Sequence, residues 1–163
     1  MNSRFICGSL FLFVFSGISQ ADTPAPAPWH PQRAALMTQW AADVSPDNAL
    51  REYPRPQMER PEWVNLNGLW DYAIYPADEA TPKKFQGKIL VPFPVESALS
   101  GVMKTVGAKN KVFYTRTFRL PESWKGKKML LNFGAVDWDC TVYINNKKVG
   151  QHTGWGKAIA HCV

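Results

Sequence analysis

Short alternating segments separated by turn-forming residues most constrain the fold of this chain. In residues 69–75, LWDYAIY, the side chains of Trp70, Tyr72 and Ile74 fall on one face, which is the two-residue period of a half-buried strand. Similar segments follow at residues 88–91, 111–120, 129–133, 139–144 and 147–152. Gly, Asn and Pro lie between them, and no helical repeat runs through this region. The pattern predicts an all-β sandwich.

Two kinds of connection are expected between these strands. Asn145 and Asn146 separate the last two segments, and Asn tolerates positive φ, so this pair suits a two-residue hairpin turn. Residues 65–68, NLNG, predict a turn ahead of the first strand. Residues 92–110 are long for a connection without secondary structure, and this length predicts a functional loop.

Residues 1–21 have the features of an export signal. Arg4 supplies a positive charge, residues 5–15 are almost wholly apolar, and the sequence SQA ends at Ala21 with small residues where a signal peptidase cleaves. The apolar run is about a dozen residues long, whereas a stable membrane anchor needs roughly 20. We therefore expect export to the periplasm or the medium, cleavage after Ala21, and no membrane association of the mature chain. A buried N-terminal helix is the alternative.

Residues 22–62 are expected to form a Pro-rich linker and an N-terminal arm. Alternating prolines favour an extended linker directly after the leader. Residues 32–42 contain good helix formers and predict a short helix. Residues 45–61 are again interrupted by prolines, so we expect an arm that lies over the surface of a domain beginning near Trp63.

The formal net charge of +6 does not indicate a nucleic-acid partner. Phosphate binding needs clustered Lys and Arg, but the lysine pairs and triplets of this chain fall at predicted turns and strand ends. They are Lys83, Lys84, Lys125, Lys127, Lys128, Lys147 and Lys148. We expect no nucleic-acid partner and assign these lysines to solvated edges.

The histidines and cysteines predict neither a metal site nor a cofactor. The three histidines, at positions 30, 152 and 161, have no Cys or carboxylate at ligand spacing. Cys140 and Cys162 would remain after cleavage of the leader. In an exported protein they either pair or stay free, and the sequence leaves both alternatives open.

Several of these segments together resemble the N-terminal sugar-binding domain of glycoside hydrolase family 2. The motifs are LNGLW at residues 66–70, VPF at 91–93 with Glu96 and Ser97, YTRTF at 114–118, LNFGAVDW at 131–138, VYIN at 142–145, and Val149 with Gly150. Single motifs are weak, since many sandwiches contain a similar strand. Their order and spacing across residues 63–153 carry the resemblance. Residues 40–60 are also similar to the lead-in of exported bacterial members.

The resemblance implies a jelly-roll, galactose-binding-like β-sandwich over residues 63–153. In the intact family an immunoglobulin-like domain and a catalytic (β/α)8 barrel follow in the same chain, and two barrel glutamates cleave β-galactosides, β-glucuronides or β-mannosides by double displacement. The implied partners are therefore a β-glycoside and the barrel, and no catalytic residue is expected here. Residues 154–163 depart from the family pattern. We interpret them as an aberrant tail, from a frameshift or a premature stop, and the sandwich as lacking its last strands.

Four residues are candidates for contact with a sugar: Glu96, Asp137, Trp138 and His152. Glu96 lies in the long loop, where it accepts either a sugar hydroxyl or loop amides. Asp137 forms a carboxylate pair with Asp139 in one interpretation, and caps a turn in the other. Trp138 stacks on a sugar or packs in the core. The resemblance places His152 where the chain turns toward the active site; a structural or solvated histidine is the alternative.

Three hypotheses for the function follow. The first is the sugar-binding domain of an exported family 2 glycosidase, inactive by itself. The second is a stand-alone carbohydrate-binding module, which requires an exposed aromatic platform drawn from Trp63, Trp124, Trp138 and Trp155. The third is a non-functional truncation product with an open sheet edge and exposed apolar surface.

Overall fold

The computed structural model describes residues 28–52, 60–136, 138–154 and 159–162. Its strands are β1 (Gly68–Pro76), β2 (Gly87–Val91), β3 (Asn110–Thr115), β4 (Leu130–Phe133), β5 (Asp139–Ile144), β6 (Lys147–Thr153) and β7 (Ile159–Cys162). Short 3-10 helices occur at Gln39–Asp43, Ala98–Ser100 and Glu122–Trp124. Each of these strands pairs antiparallel with its neighbours. The predicted all-β class is confirmed. In the described ranges no helix has the length and apolarity to span a membrane.

The chain divides into two compact units, Met1–Arg116 and Thr117–Val163. In the first unit β1 lies between β2 and β3. The core of this sheet is formed by buried side chains from the strands and from the connection between β2 and β3. They are Tyr72, Ile89, Val95 and Val102, with Trp70, Ile74, Val91, Val106 and Val112 packed against them. The predicted inward face of β1 is therefore confirmed.

The third strand is shorter than the sequence pattern predicts, because it ends at Thr115 and not at Leu120. The Arg116 side chain explains this end. Its Nη1 donates to the carbonyl oxygens of Leu66, at 2.6 Å, and Asn67, at 2.9 Å. These carbonyls belong to the predicted turn ahead of β1, so Arg116 ties the end of β3 to the start of β1.

The helix predicted over residues 32–42 is wrong, since only Gln39–Asp43 is helical and it is a 3-10 helix. Main-chain bonding of Gln32 explains the difference. Its N–H donates to the carbonyl of Ala98 at 2.9 Å, so the chain here is bound to a distant loop. Helix propensity is a weak prior that tertiary contacts of this kind override.

In the second unit β5 and β6 form the predicted hairpin. Asn145 and Asn146 have φ values of 49° and 63°, so both turn residues adopt the left-handed conformation that two-residue hairpins favour. The ladder runs from Asp139 opposite Thr153 to Ile144 opposite Lys147, with an irregularity at Val142 and Tyr143.

A further strand lies in the tail, to which the sequence assigned no element. Residues Ile159–Cys162 form β7 and pair antiparallel with β4, with Leu130 opposite Cys162 and Phe133 opposite Ile159. The pairing satisfies main-chain groups of β4 that would otherwise lie at an open edge. The domain boundary at residue 153 stays a prediction.

Candidate functional site

The connection between β2 and β3, predicted as a functional loop, is fixed to the sheet by its own apolar side chains. Val95 and Val102 are buried in the core of the first unit, and Val106 packs against it. Between these valines the backbone turns through the 3-10 helix Ala98–Ser100 and through Gly101, whose φ of 80° is left-handed. The loop therefore has a defined path, with anchored residues alternating with exposed ones.

Ser100 is the polar centre of this loop and has no exposed surface. Its hydroxyl lies 2.7 Å from the carbonyl oxygen of Ser97 and 3.2 Å from that of Val95. It also accepts the N–H of Val102 at 3.0 Å. A buried hydroxyl with several main-chain partners fixes the loop, because any displaced partner would lose its hydrogen bond away from water.

Four side chains that are linked by strand pairing, a hydrogen bond and a charge interaction are named the loop site: Tyr72, Glu96, Lys104 and Tyr114. Tyr72 and Tyr114 lie directly opposite each other on β1 and β3. The Lys104 ammonium is 3.5 Å from the Tyr72 hydroxyl, and the Lys104 N–H donates to the carbonyl of Val95 at 3.1 Å. This bond places Lys104 next to the segment that carries Glu96.

A charge interaction links Glu96 to Tyr114. Tyr114 is 43% exposed. Partial burial of the phenol is the main cause of its raised pKa, and the negative charge of Glu96 raises that pKa further. Both causes favour the neutral phenol, since each disfavours the phenolate. The loop site thus combines an exposed carboxylate, an exposed ammonium group and a neutral phenol.

Two other candidates, Trp138 and His152, lie at the open end of the β5–β6 hairpin. The carbonyl of Trp138 accepts the N–H of Gly154 at 2.7 Å. Trp138 is 52% exposed, so its ring is not a core side chain. We name the segment formed by Trp138, Asp139 and residues 152–154 the hairpin end. It presents an aromatic ring at the surface.

His152 faces inward at this hairpin end. It lies opposite Cys140, and its Nε2 is buried without a hydrogen-bond partner within the described ranges. Cys140 is a free thiol. Burial raises its pKa, a hydrogen bond with the His152 backbone lowers it, and the charge of Asp139 raises it. Only Nε2 of His152 is shown to lack a partner, and the residue as a whole is half-buried. Its contact with a sugar stays a prediction.

The structure separates three of the four predicted residues between the two units. Glu96 belongs to the first unit and Trp138 and His152 to the second, while Asp137 lies outside the described residues, as does Trp155. The sequence missed Lys104 and Tyr114 as neighbours of Glu96. Lys104 shares the loop with Glu96, and Tyr114 opens the YTRTF motif, but only the fold of the loop brings them together.

Among the described residues, the side chains of the hairpin end and the loop site do not form a metal site. Across the part of the chain that the structure describes, no group of three or more His, Cys, Asp or Glu side chains is placed to hold a metal ion.

Comparison with known proteins gives one relative of stated activity. No protein-family profile matches the chain. The chain is similar to a beta-glucuronidase from Paenibacillus borealis, with 26% identity over 108 residues. The aligned segment covers 63% of this chain and 18% of that protein, so the chain spans less than a fifth of the relative's length. The similarity is thus to part of a glycoside hydrolase; membership of family 2 stays a prediction.

Proposed function

We propose that residues 63–153 are the sugar-binding domain of a family 2 glycoside hydrolase that acts on β-linked sugars. The similarity to a beta-glucuronidase supports the glycosidase assignment, and the antiparallel strands support a sandwich, whose topology we propose to be a jelly roll. The observation that carries the binding function is the loop site, because it joins a carboxylate, an ammonium group and a phenol beside one anchored loop.

The three exposed groups of the loop site each have a role in this proposal. The Glu96 carboxylate accepts hydrogen bonds from sugar hydroxyls, and the Lys104 ammonium donates to hydroxyls or pairs with a carboxylate. The Tyr114 phenol offers a ring edge and a hydroxyl that stays protonated at neutral pH. A β-glucuronide carries hydroxyls and one carboxylate, so it matches this set and is our first ligand.

The same geometry supports binding without hydrolysis. Retaining glycosidases need two carboxyl groups about 5–5.5 Å apart, and the loop site contributes one, Glu96. We therefore assign hydrolysis to barrel glutamates of the intact enzyme and sugar contact to this chain.

The test is a titration of the 163-residue chain with methyl β-D-glucuronide, followed by 1H–15N NMR, with the β-galactoside and β-mannoside in parallel. We expect shifts at residues 95–104 and Tyr114. Glu96→Gln and Lys104→Met should each weaken binding by about tenfold or more, the effect of losing one hydrogen bond to a charged group. Glu122→Gln and Lys147→Met, exposed in the second unit, are matched controls.

Two results would contradict this function. If none of the three glycosides shifts the loop resonances at millimolar concentration, the loop site does not bind sugar. If the chain releases chromophore from a nitrophenyl β-glycoside and Glu96→Gln abolishes the release, the chain is itself catalytic and the assignment of hydrolysis to a barrel fails.

A stand-alone carbohydrate-binding module is the second candidate, because exposed aromatic rings occur in the second unit. Trp138 is 52% and Tyr143 is 60% exposed, whereas Trp63 and Trp124 are half-buried. Stacking of sugars on such rings needs no barrel. Under this candidate Trp138→Ala abolishes binding of a β-linked oligosaccharide and Glu96→Gln leaves it unchanged, the opposite of the result expected for the loop site.

We also propose that the chain is exported and cleaved after Ala21. The short apolar run and the small residues at its end support this proposal. N-terminal sequencing of protein from the periplasm or medium should give Asp22 as the first residue. Recovery of the chain only from the cytoplasm, with residues 1–21 retained, would contradict it.

A further inference from the structure

A segment far from the loop site in sequence is bonded to the loop that carries it. We name residues 29–32 the N-terminal strap. The indole N–H of Trp29 donates to the carbonyl of Ser100 at 3.2 Å, and the side-chain amide of Gln32 donates to the carbonyl of Gly101 at 2.8 Å. The main-chain N–H of Gln32 donates to Ala98 at 2.9 Å. Three donors of the strap thus meet three carbonyl oxygens of one short loop segment, residues 98–101.

The contact between strap and loop is also close in space. A Cβ atom on Gly101 would lie 2.5 Å from Trp29 Nε1 and 3.2 Å from the carbonyl oxygen of His30. The absence of a side chain at Gly101 and its left-handed φ of 80° are therefore both needed for the strap to lie here. The backbone of the loop at Gly101 therefore lies in close contact with Trp29 and His30 of the strap.

From the strap, a short series of hydrogen bonds leads to the loop site. The single hydroxyl proton of Ser100 is shared between the carbonyl oxygens of Ser97, at 2.7 Å, and Val95, at 3.2 Å. The same Val95 carbonyl accepts the N–H of Lys104. Glu96 follows Val95 directly. Displacement of Ser100 therefore moves the two main-chain positions that carry the carboxylate and the ammonium group.

We propose that the N-terminal strap positions the loop site, with Trp29 and Gln32 as positioning residues that act through Ser100 and Val95 on Glu96 and Lys104. Neither strap residue contacts the sugar in this proposal. The inference rests on the proposed sugar binding at the loop site, and it adds that residues outside the predicted domain of 63–153 determine the affinity. It also explains why residues 29–32 are not helical, although good helix formers follow them.

The experiment uses the full chain and two strap variants. Gln32→Glu replaces the amide donor by an oxygen that faces the Gly101 carbonyl, and Trp29→Phe removes the indole N–H while keeping a ring. Gln86→Glu is the matched control, because the Gln86 amide donates to the Ile74 carbonyl at 3.0 Å in the same unit. Thermal unfolding of all three variants measures how much stability is lost when one such hydrogen bond is removed.

Two readouts separate positioning from stability. The first is the pKa of Tyr114, from NMR of ring-labelled tyrosine with Tyr114→Phe for assignment; it needs no sugar. The second is the dissociation constant for methyl β-D-glucuronide. We expect both strap variants to lower the pKa of Tyr114 toward its ordinary value and to weaken binding about fivefold, with Gln86→Glu matching wild type in both.

Each other outcome has a defined meaning. An unchanged Tyr114 pKa in both strap variants would overturn the proposal, whatever their affinity for methyl β-D-glucuronide. A lowered pKa with unchanged affinity would show that the strap moves the loop without positioning the sugar contacts, and would also overturn it. A lowered pKa in a chain whose wild type binds no glycoside would overturn the proposed function and leave the strap's effect on the loop supported.

Discussion

The loop site and the hairpin end place candidate sugar contacts by different means. At the loop site the side chains come from β1, β3 and the connection between β2 and β3, and buried Ser100 links the main chain of that connection. At the hairpin end Trp138 and His152 lie within one hairpin, whose register follows from the Asn145–Asn146 turn. One site depends on contacts between distant segments, the other on local geometry.

This difference determines how each site responds to damage. A change at a single buried residue of the first unit should alter several main-chain hydrogen bonds together, because they share Ser100 and Gly101. A change at the hairpin turn should loosen one ladder and leave the loop site intact. Mutations at Gly101, Ser100 and Asn146 test this contrast, and their expected effect on stability decreases in that order.

The largest effect is expected for Gly101→Ala. Its new Cβ would lie 2.5 Å from Trp29 Nε1 and 2.6 Å from Trp29 Cδ1, in a left-handed residue. We expect a loss of about 3 kcal/mol in the free energy of unfolding, from the left-handed backbone and the overpacking together, measured by urea denaturation. Gly107→Ala is the control, because Gly107 has a φ of 71° and nothing within 4 Å of its Cβ position. It should cost about 1 kcal/mol; equal losses in the two variants would show that the strap contact carries no energy.

Ser100→Ala is expected to follow. The substitution keeps the buried volume nearly constant but removes the hydroxyl that the N–H of Val102 donates to, and it leaves the Ser97 carbonyl with one donor fewer. We expect a loss of about 2 kcal/mol, with faster amide exchange at Val102. Ser123→Ala, at an exposed position, should stay within about 0.5 kcal/mol of wild type. Equal amide exchange at Val102 in both variants would show that the hydroxyl does not fix the loop.

The hairpin turn gives the matching test in the second unit. Asn146 has a φ of 63°, so Asn146→Ala should cost about 1 kcal/mol, whereas Asn146→Gly should be neutral or slightly stabilising. Amide exchange in β5 and β6 measures the change. Resonances of Trp138 and His152 should respond, and those of Tyr114 should not. A response at Tyr114 would break the contrast between the two sites.

The same contrast explains which features the sequence predicts. Strand β1 follows from alternation and β2 from a short apolar run, and the β5–β6 hairpin follows from two segments that flank two asparagines, because these patterns are local. The path of the loop does not, since it depends on Gln32 bonding to Ala98 and Gly101 and on Ser100 bonding to Val95. The failed helix at residues 32–42 has the same origin: its first residue uses its donors on a distant loop.

The candidate residues divide in the same way. The position of Glu96 in a long loop makes it a candidate from sequence. The sequence does not predict Lys104 and Tyr114 as its neighbours, because their spacing along the chain follows no motif. The sequence leaves Trp138 either in the core or on a sugar. The structure exposes 52% of it and gives it a left-handed φ of 54°, which is rare for a tryptophan and is not predicted by the sequence. Local patterns therefore predict strands well, and contacts across the fold decide the site.

The smallest expected effect is the pH dependence that Tyr114 contributes, and it tests the position of Glu96 directly. The pKa of Tyr114 is raised above 10.0, first by burial and then by the Glu96 charge. The folded state therefore binds the phenolic proton more tightly than the unfolded state. This contribution to stability is fully present below the unfolded pKa, and it is lost as the pH rises through the higher pKa of the folded state. Urea denaturation from pH 8 to pH 11 measures the loss.

Tyr114→Phe should remove this part of the alkaline destabilisation, while Glu96→Gln should only reduce it, because burial of the phenol remains. The double variant isolates the interaction: Glu96→Gln should leave the alkaline slope unchanged once Tyr114 is Phe, since no phenolate then forms beside the carboxylate. If Glu96→Gln changes that slope equally with and without the phenol, Glu96 does not act on Tyr114. The loop site would then lose its carboxylate, and the hairpin end would become the better candidate for sugar contact.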